Sequence, residues 1–160
     1  MSGTDSLILI IDDELPIRRL LRAVLTSQGY GLAEAVAGRE GLAQAATLRP
    51  DLIILELELP DINGLHVIAQ LREWANTPIV VLSASSQEGV KVAALDGGAD
   101  DYLTKPCGVG ELLARMRVAL RRAAGRPEGE RTDHHHRRVA SRPGAPPGVP
   151  RRRRCPLDSD

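Results

Sequence analysis

Residues 7–25 read LILIIDDELPIRRLLRAVL, and this stretch decides the fold. Its first five residues are apolar without polar alternation, the pattern of a strand covered on both faces. After Asp12, Asp13 and Glu14 the period changes. Ile17, Leu20, Leu21, Val24 and Leu25 stand at i, i+3, i+4, i+7 and i+8, one stripe of an α-helix. Pro16 sits where a first helical turn has no N–H to lose. A buried strand and an amphipathic helix make one βα unit, with acidic residues at its junction.

Working outward, the same unit recurs. LIIL (52–55), PIVVL (78–82) and DYLT (101–104) read as strands, and YGLAEA (30–35) as a weaker fifth. Helical stretches follow at about 39–48, 64–75, 87–97 and 109–123, the last with Leu112, Leu113, Met116, Ala119, Leu120 and Ala123 facing inward. Five βα repeats with unalternating strands call for a parallel sheet covered by helices on both faces. The expected fold is α/β, a flavodoxin-like (βα)5 doubly wound parallel sheet of order 2-1-3-4-5.

The 160 residues are 42% hydrophobic, enough for one ordinary domain with a real core. That core is aliphatic, since the chain has no Phe, one Trp and two Tyr, and so offers no aromatic platform for stacking bases. Zero net charge hides a split. Residues 1–124 carry 12 Lys+Arg and 16 Asp+Glu, whereas residues 125–160 carry 9 Arg and 5 Asp+Glu. From Gly125 onward Arg, Pro, Gly and Ala dominate and periodicity ends, so a domain over 1–123 and a disordered basic tail over 124–160 are expected. Cys107 and Cys155 form no CxxC pair, which favours a reducing, cytoplasmic setting. No leader or membrane anchor is read from the polar N-terminus and the short apolar runs.

In an open parallel sheet, ligands bind beyond the carboxyl ends of the strands. Strand one ends there in Asp12 and Asp13, strand three in Glu56, strand four in Ser83, and strand five leads to Lys105. Singly, each residue has an ordinary use: Asp12 and Asp13 as helix caps, Ser83 as a turn hydroxyl, Lys105 as a solvated charge. His66 on the third helix reads as a plain polar position. Together, three carboxylates on one rim repel unless neutralised, and a hard divalent cation with oxygen ligands, Mg²⁺ first, is the natural partner. A lysine and a hydroxyl opposite such an ion suit a phosphate, so the rim fits phosphoryl chemistry at a carboxylate.

IDDE (11–14), RPDLIIL (49–55), LPDING (59–64), VVLSAS (80–85), KVAALDGGADDYLTKP (91–106) and GELLARMRVALRR (110–122) together resemble the receiver domain of bacterial response regulators, in the OmpR/PhoB group. The resemblance covers essentially all of 7–123. It implies that Asp12 and Asp13 hold Mg²⁺ with Glu56 and the backbone carbonyl of Glu58. It also implies that Ser83 senses a phosphoryl group, that Lys105 binds it, that Tyr102 is the switch aromatic, and that Lys105-Pro106 is a cis peptide. The family's phosphoacceptor is an Asp, and here that position is Glu56. One extra methylene displaces the carboxylate by about 1.5 Å, where a misplacement of about 1 Å costs roughly 100-fold. Poor phosphorylation is therefore expected, with a partial bias towards the active arrangement. Cys107 stands where the family has Phe, and reads as a buried, unreactive thiol.

The resemblance further implies a sensor histidine kinase as partner and a homodimer through helix 4, strand 5 and helix 5. That face carries Lys91, Asp100, Asp101, Glu111, Arg115 and Arg122. Family members of this group carry a winged-helix DNA-binding domain after the receiver. Nothing after Arg122 has its strands, its recognition helix or its length, so no specific DNA binding is expected. The tail composition is that of GC-rich DNA read out of frame. The resulting expectation is a receiver acting by partner binding, not a turnover enzyme. Two alternatives are a still-phosphorylatable receiver, and a nucleic-acid binder acting through Arg137, Arg138, Arg142 and the RRRR run at 151–154. His134, His135 and His136 lie on too flexible a stretch to preorganise a metal site.

Overall fold

In the computed structural model, which describes residues 6–125, five strands and five helices alternate. They are β1 (Leu7–Ile11), α1 (Leu15–Ser27), β2 (Gly31–Ala35), α2 (Gly38–Leu48), β3 (Leu52–Leu55), α3 (Gly64–Arg72), β4 (Ile79–Ser83), α4 (Glu88–Gly97), β5 (Asp101–Thr104) and α5 (Val109–Ala124). All neighbouring strands pair in parallel, in the order β2-β1-β3-β4-β5. The fold is therefore the flavodoxin-like sheet that the apolar runs call for.

Successive residues of the central strands point to opposite faces, and each face has its own core. Leu9, Ile11, Ile53, Leu55, Ile79 and Val81 pack under α2, α3 and α4 with Ala45, Val67, Ile68, Leu71 and Ala94. Ile8, Ile10, Leu52, Ile54, Val80 and Leu82 pack under α1 and α5 with Leu21, Leu25, Leu112 and Met116. Most of these side chains are fully buried, each contributing roughly 1.5–3 kcal/mol.

Most boundaries fall within a residue or two of the sequence reading, and two differences bear on the site. α3 stops at Arg72 instead of 75, because the Arg72 guanidinium takes the carbonyls of Ala75 (3.2 Å) and Thr77 (2.8 Å) and turns the chain towards β4. β4 is shifted by one residue, so that Ser83 is its last member. At Gly64 the start of α3 comes so close to the end of β3 that a Cβ would lie 2.6 Å from Leu57 Cα and 2.8 Å from the Glu56 carbonyl oxygen. This contact seats the loop after β3 against the sheet. The Lys105–Pro106 peptide is cis. No helix among the described residues is long and apolar enough to cross a membrane. The expectations for residues 126–160, including Cys155, the arginine run and the three histidines, lie outside the described residues.

Candidate functional site

The carboxyl ends of β1, β3, β4 and β5 bring together Asp12, Glu56, Ser83 and Lys105, all on strand ends or the loops that leave them. Asp12, Glu56 and Ser83 are the buried polar residues of a core that is otherwise apolar. Lys105 reaches across the rim. Its Nζ donates to Glu56 Oε1 (2.7 Å), Asp12 Oδ2 (2.9 Å) and Glu14 Oε1 (3.0 Å). The lysine side chain is 11% exposed, Asp12 3% and Glu56 5%, so two of these three pairs are shielded from water.

Every polar atom of Asp12 has a partner. Its N–H donates to the Ala35 carbonyl (3.0 Å), its carbonyl accepts from Arg18 Nη1 (2.8 Å), and Oδ1 accepts from the Glu14 amide (2.9 Å). Burial pushes the Asp12 carboxyl above its ordinary value, with nearby Glu56 adding to the effect, and this outweighs the Glu14 amide and Lys105, which pull it down. Burial works against the charge of Lys105 too. There its hydrogen bonds to Glu56, Asp12 and Glu14 win, and the ammonium is held well above its usual range.

Glu56 curls back on its own loop. Oε2 accepts from the amides of Leu57 (2.7 Å) and Glu58 (3.0 Å), while Oε1 faces Lys105. Ser83 is fully buried, and its Oγ accepts from the Ser85 amide at 3.3 Å. The Ser83 carbonyl accepts from the Lys105 amide at 2.7 Å, tying β4 to the lysine's backbone. Tyr102 lies inward, 8% exposed, and its hydroxyl donates to the Ser85 carbonyl (2.7 Å). Lys91 Nζ stands 5.9 Å from the centre of its ring.

Asp13 and Glu58 are exposed beside this cluster. Among the described residues no three His, Cys, Asp or Glu side chains are gathered so as to hold a metal ion by themselves. The donor set nevertheless fits Mg²⁺, which takes one or two carboxylates and keeps several waters. Three carboxylates share a single ammonium here, and burial already works against the charge of Asp12. A divalent ion would supply the missing positive charge.

Of the residues expected on the α4-β5-α5 face, Arg115 pairs within the chain with Asp101 (3.4 Å) and Glu111 (3.8 Å). Arg122 is exposed. Asp100 is turned the other way: its Oδ2 accepts from the Ile79 amide (2.8 Å) and from Arg72 Nη2 (3.1 Å). Cys107 is half-buried, with burial pushing its thiol up and Glu111 adding to the shift. Two site residues, Glu14 and Arg18, and one nearby loop residue, Asp61, carry contacts that the sequence reading did not assign. Glu14 is the N-cap residue of α1 and Arg18 lies in its first turn, where their spacing reads only as a solvated helix start. Asp61, in the LPDING loop, accepts from the amides of Gly38 (2.8 Å) and Arg39 (2.9 Å) and so caps α2 from another loop.

A family model described as "Response regulator receiver domain" matches residues 8–117. Over 115 residues the chain is 56% identical to the KDP operon transcriptional regulatory protein KdpE of Escherichia coli (strain K12), covering 72% of this chain and 51% of that protein. The chain spans about half the length of the curated relatives it matches. Among solved structures, a two-component response regulator from Clostridium difficile superposes with a TM-score of 0.72 at 30% identity, covering 74% of this chain and 98% of that one. The BeF3-activated receiver domain of Klebsiella pneumoniae RstA gives 0.70 at 29% identity, covering 72% and 98%.

Proposed function

The chain belongs to the response regulator receiver family of two-component signalling, and from that premise we propose that it is a KdpE-like receiver whose acceptor carboxylate, Glu56, is already engaged. The observation that carries this reading is the state of the Glu56 oxygens. One is held by Lys105 and the other by two backbone amides. An incoming phosphoryl group would have to displace these bonds, at a carboxylate that the longer side chain has moved out of place. The same bonds give part of what a phosphoryl group would give, an anion bridging Lys105 and the loop after β3. The inward Tyr102, bonded to Ser85, agrees with a bias towards the switched arrangement.

In this reading Asp12, Asp13 and the Glu58 carbonyl hold Mg²⁺, whose role is to screen negative charge at the acceptor. Lys105 neutralises the anion, Ser83 lines the pocket, and the module works by contact, without turnover. The partners are a sensor histidine kinase and a second copy of the chain. The dimer face is α4-β5-α5, where Val92 and Leu95 are exposed beside Lys91, Asp101, Glu111 and Arg115.

Purified protein and its Glu56→Asp variant, incubated with Mg²⁺ and acetyl phosphate, test the proposal by intact mass. Phosphoryl gain in the Asp variant alone is expected. Equal labelling of the unaltered chain would overturn the reading and make the protein an ordinary phosphoacceptor.

A further inference from the structure

Arg18 is a cation placed next to a site that needs cations, yet it does not touch a carboxylate of that site. Its Nη1 donates to the backbone carbonyl of Asp12 (2.8 Å), and its Nε donates to Glu34 Oε1 on β2 (3.3 Å). The guanidinium is 13% exposed and Glu34 18%. Arg22 also pairs with Glu34, at 2.6 Å, but is 60% exposed and makes no contact with Asp12.

The Asp12 carbonyl belongs to the peptide that joins Asp12 to Asp13. A peptide unit is planar, so fixing its oxygen fixes the N–H and Cα of the next residue as well. Asp12 is otherwise anchored through Ala35, Glu14 and Lys105. The exposed Asp13 has its starting point set by that one peptide plane.

We propose that Arg18 is a positioning residue for the cation site, using the Glu34 carboxylate as a brace to hold the Asp12–Asp13 peptide so that both carboxylates face one ion. This rests on the cation-binding reading above. The proposal has a sign that separates it from simple electrostatics. Removing a positive charge near a cation site strengthens cation binding by Coulomb's law, whereas removing a positioning group weakens it, typically by about 10–100-fold for groups that orient metal ligands.

The experiment titrates the full chain with Mn²⁺, an oxygen-preferring stand-in for Mg²⁺, and reads free ion by electron paramagnetic resonance. Arg18→Met is expected to weaken binding about tenfold. Arg18→Lys keeps the charge and stem but cannot bridge carbonyl and carboxylate, and is expected to fall between the two. Arg22→Met, which leaves the Asp12 carbonyl contact intact, is expected to bind as well as the unaltered chain or better. In the metal-free Arg18 variants the Asp13 amide resonance shifts, a change that loss of global stability alone does not produce.

Unchanged or tighter binding in a folded Arg18→Met protein overturns the proposal, as does equal weakening in Arg22→Met. If Arg18→Met does not fold, Arg18→Lys decides by the same criterion. Absence of saturable binding in the unaltered chain overturns both the cation reading and the role of Arg18.

Discussion

At Lys105 one ammonium faces Glu56, Asp12 and Glu14 within 3.0 Å. Replacing it by Met leaves Asp12 and Glu56 buried without a counter-charge, and breaking a buried pair in this way costs about 3–5 kcal/mol. Urea unfolding of Lys105→Met at neutral pH is expected to show a loss in that range. Asp12 also sets a pH dependence. Its carboxyl lies above its ordinary value of 3.8, so the folded state binds that proton more tightly than the unfolded one. Stability therefore falls as pH rises from 3.8 through the raised value and is level above it. Asp12→Asn is expected to flatten that slope in thermal melts. Asp61 works in the opposite sense. Backbone amides, that of Arg39 foremost, hold its carboxyl below 3.8, so its support for α2 is complete above 3.8 and is lost as pH falls through the lowered value. Asp61→Asn is expected to weaken protection of the Gly38 and Arg39 amides in hydrogen exchange at neutral pH.

Among the elements, the joint between α3 and α4 depends on Arg72. Besides Ala75 and Thr77, its guanidinium donates twice to the Gly98 carbonyl (3.0 and 2.8 Å) and to Asp100, while only 10% exposed. Gly98 has φ +125° and no room for a Cβ, which would lie 2.7 Å from Arg72 Cγ. Arg72→Met is expected to cost about 3 kcal/mol in chemical unfolding, since several carbonyls lose their donor. Elements were legible where hydrophobic period speaks plainly. The LILII run and the Ile17–Leu25 stripe gave β1 and α1 almost to the residue. The end of α3 was not legible, because Trp74 and Ala75 continue an apolar pattern and a side chain three-dimensionally placed by Gly98 stops the helix. Asp100 shows the same limit: beside Asp101 it reads as a surface charge, and only the fold hands it the Ile79 amide.

For the molecule as a whole, the rim was legible in outline because strand ends of a parallel sheet must converge. Asp12, Glu56, Ser83 and Lys105 meet there, but which carboxylate contacts which amide depends on loop geometry that no periodicity encodes. The proposed α4-β5-α5 dimer rests on charges that already pair within one chain, Arg115 with Asp101 and Glu111. Its dimer fraction in sedimentation is expected to fall between about 0.1 M and 1 M salt, as the screening length drops from about 10 Å to 3 Å. Arg115→Glu is expected to abolish it. The lysine contacts also bear on how the chain reaches this structure. Lys105 lies 93 residues from Asp12, 91 from Glu14 and 49 from Glu56. The acids that follow β1 and β3 therefore gain their counter-charge only through contacts of long sequence separation, completed when β5 joins the sheet. Contacts of this range close large loops and raise the mean sequence separation of native pairs, so the charge balance of the rim is expected to be a slow, late-won feature of folding, which refolding of Lys105→Met followed by stopped flow would check.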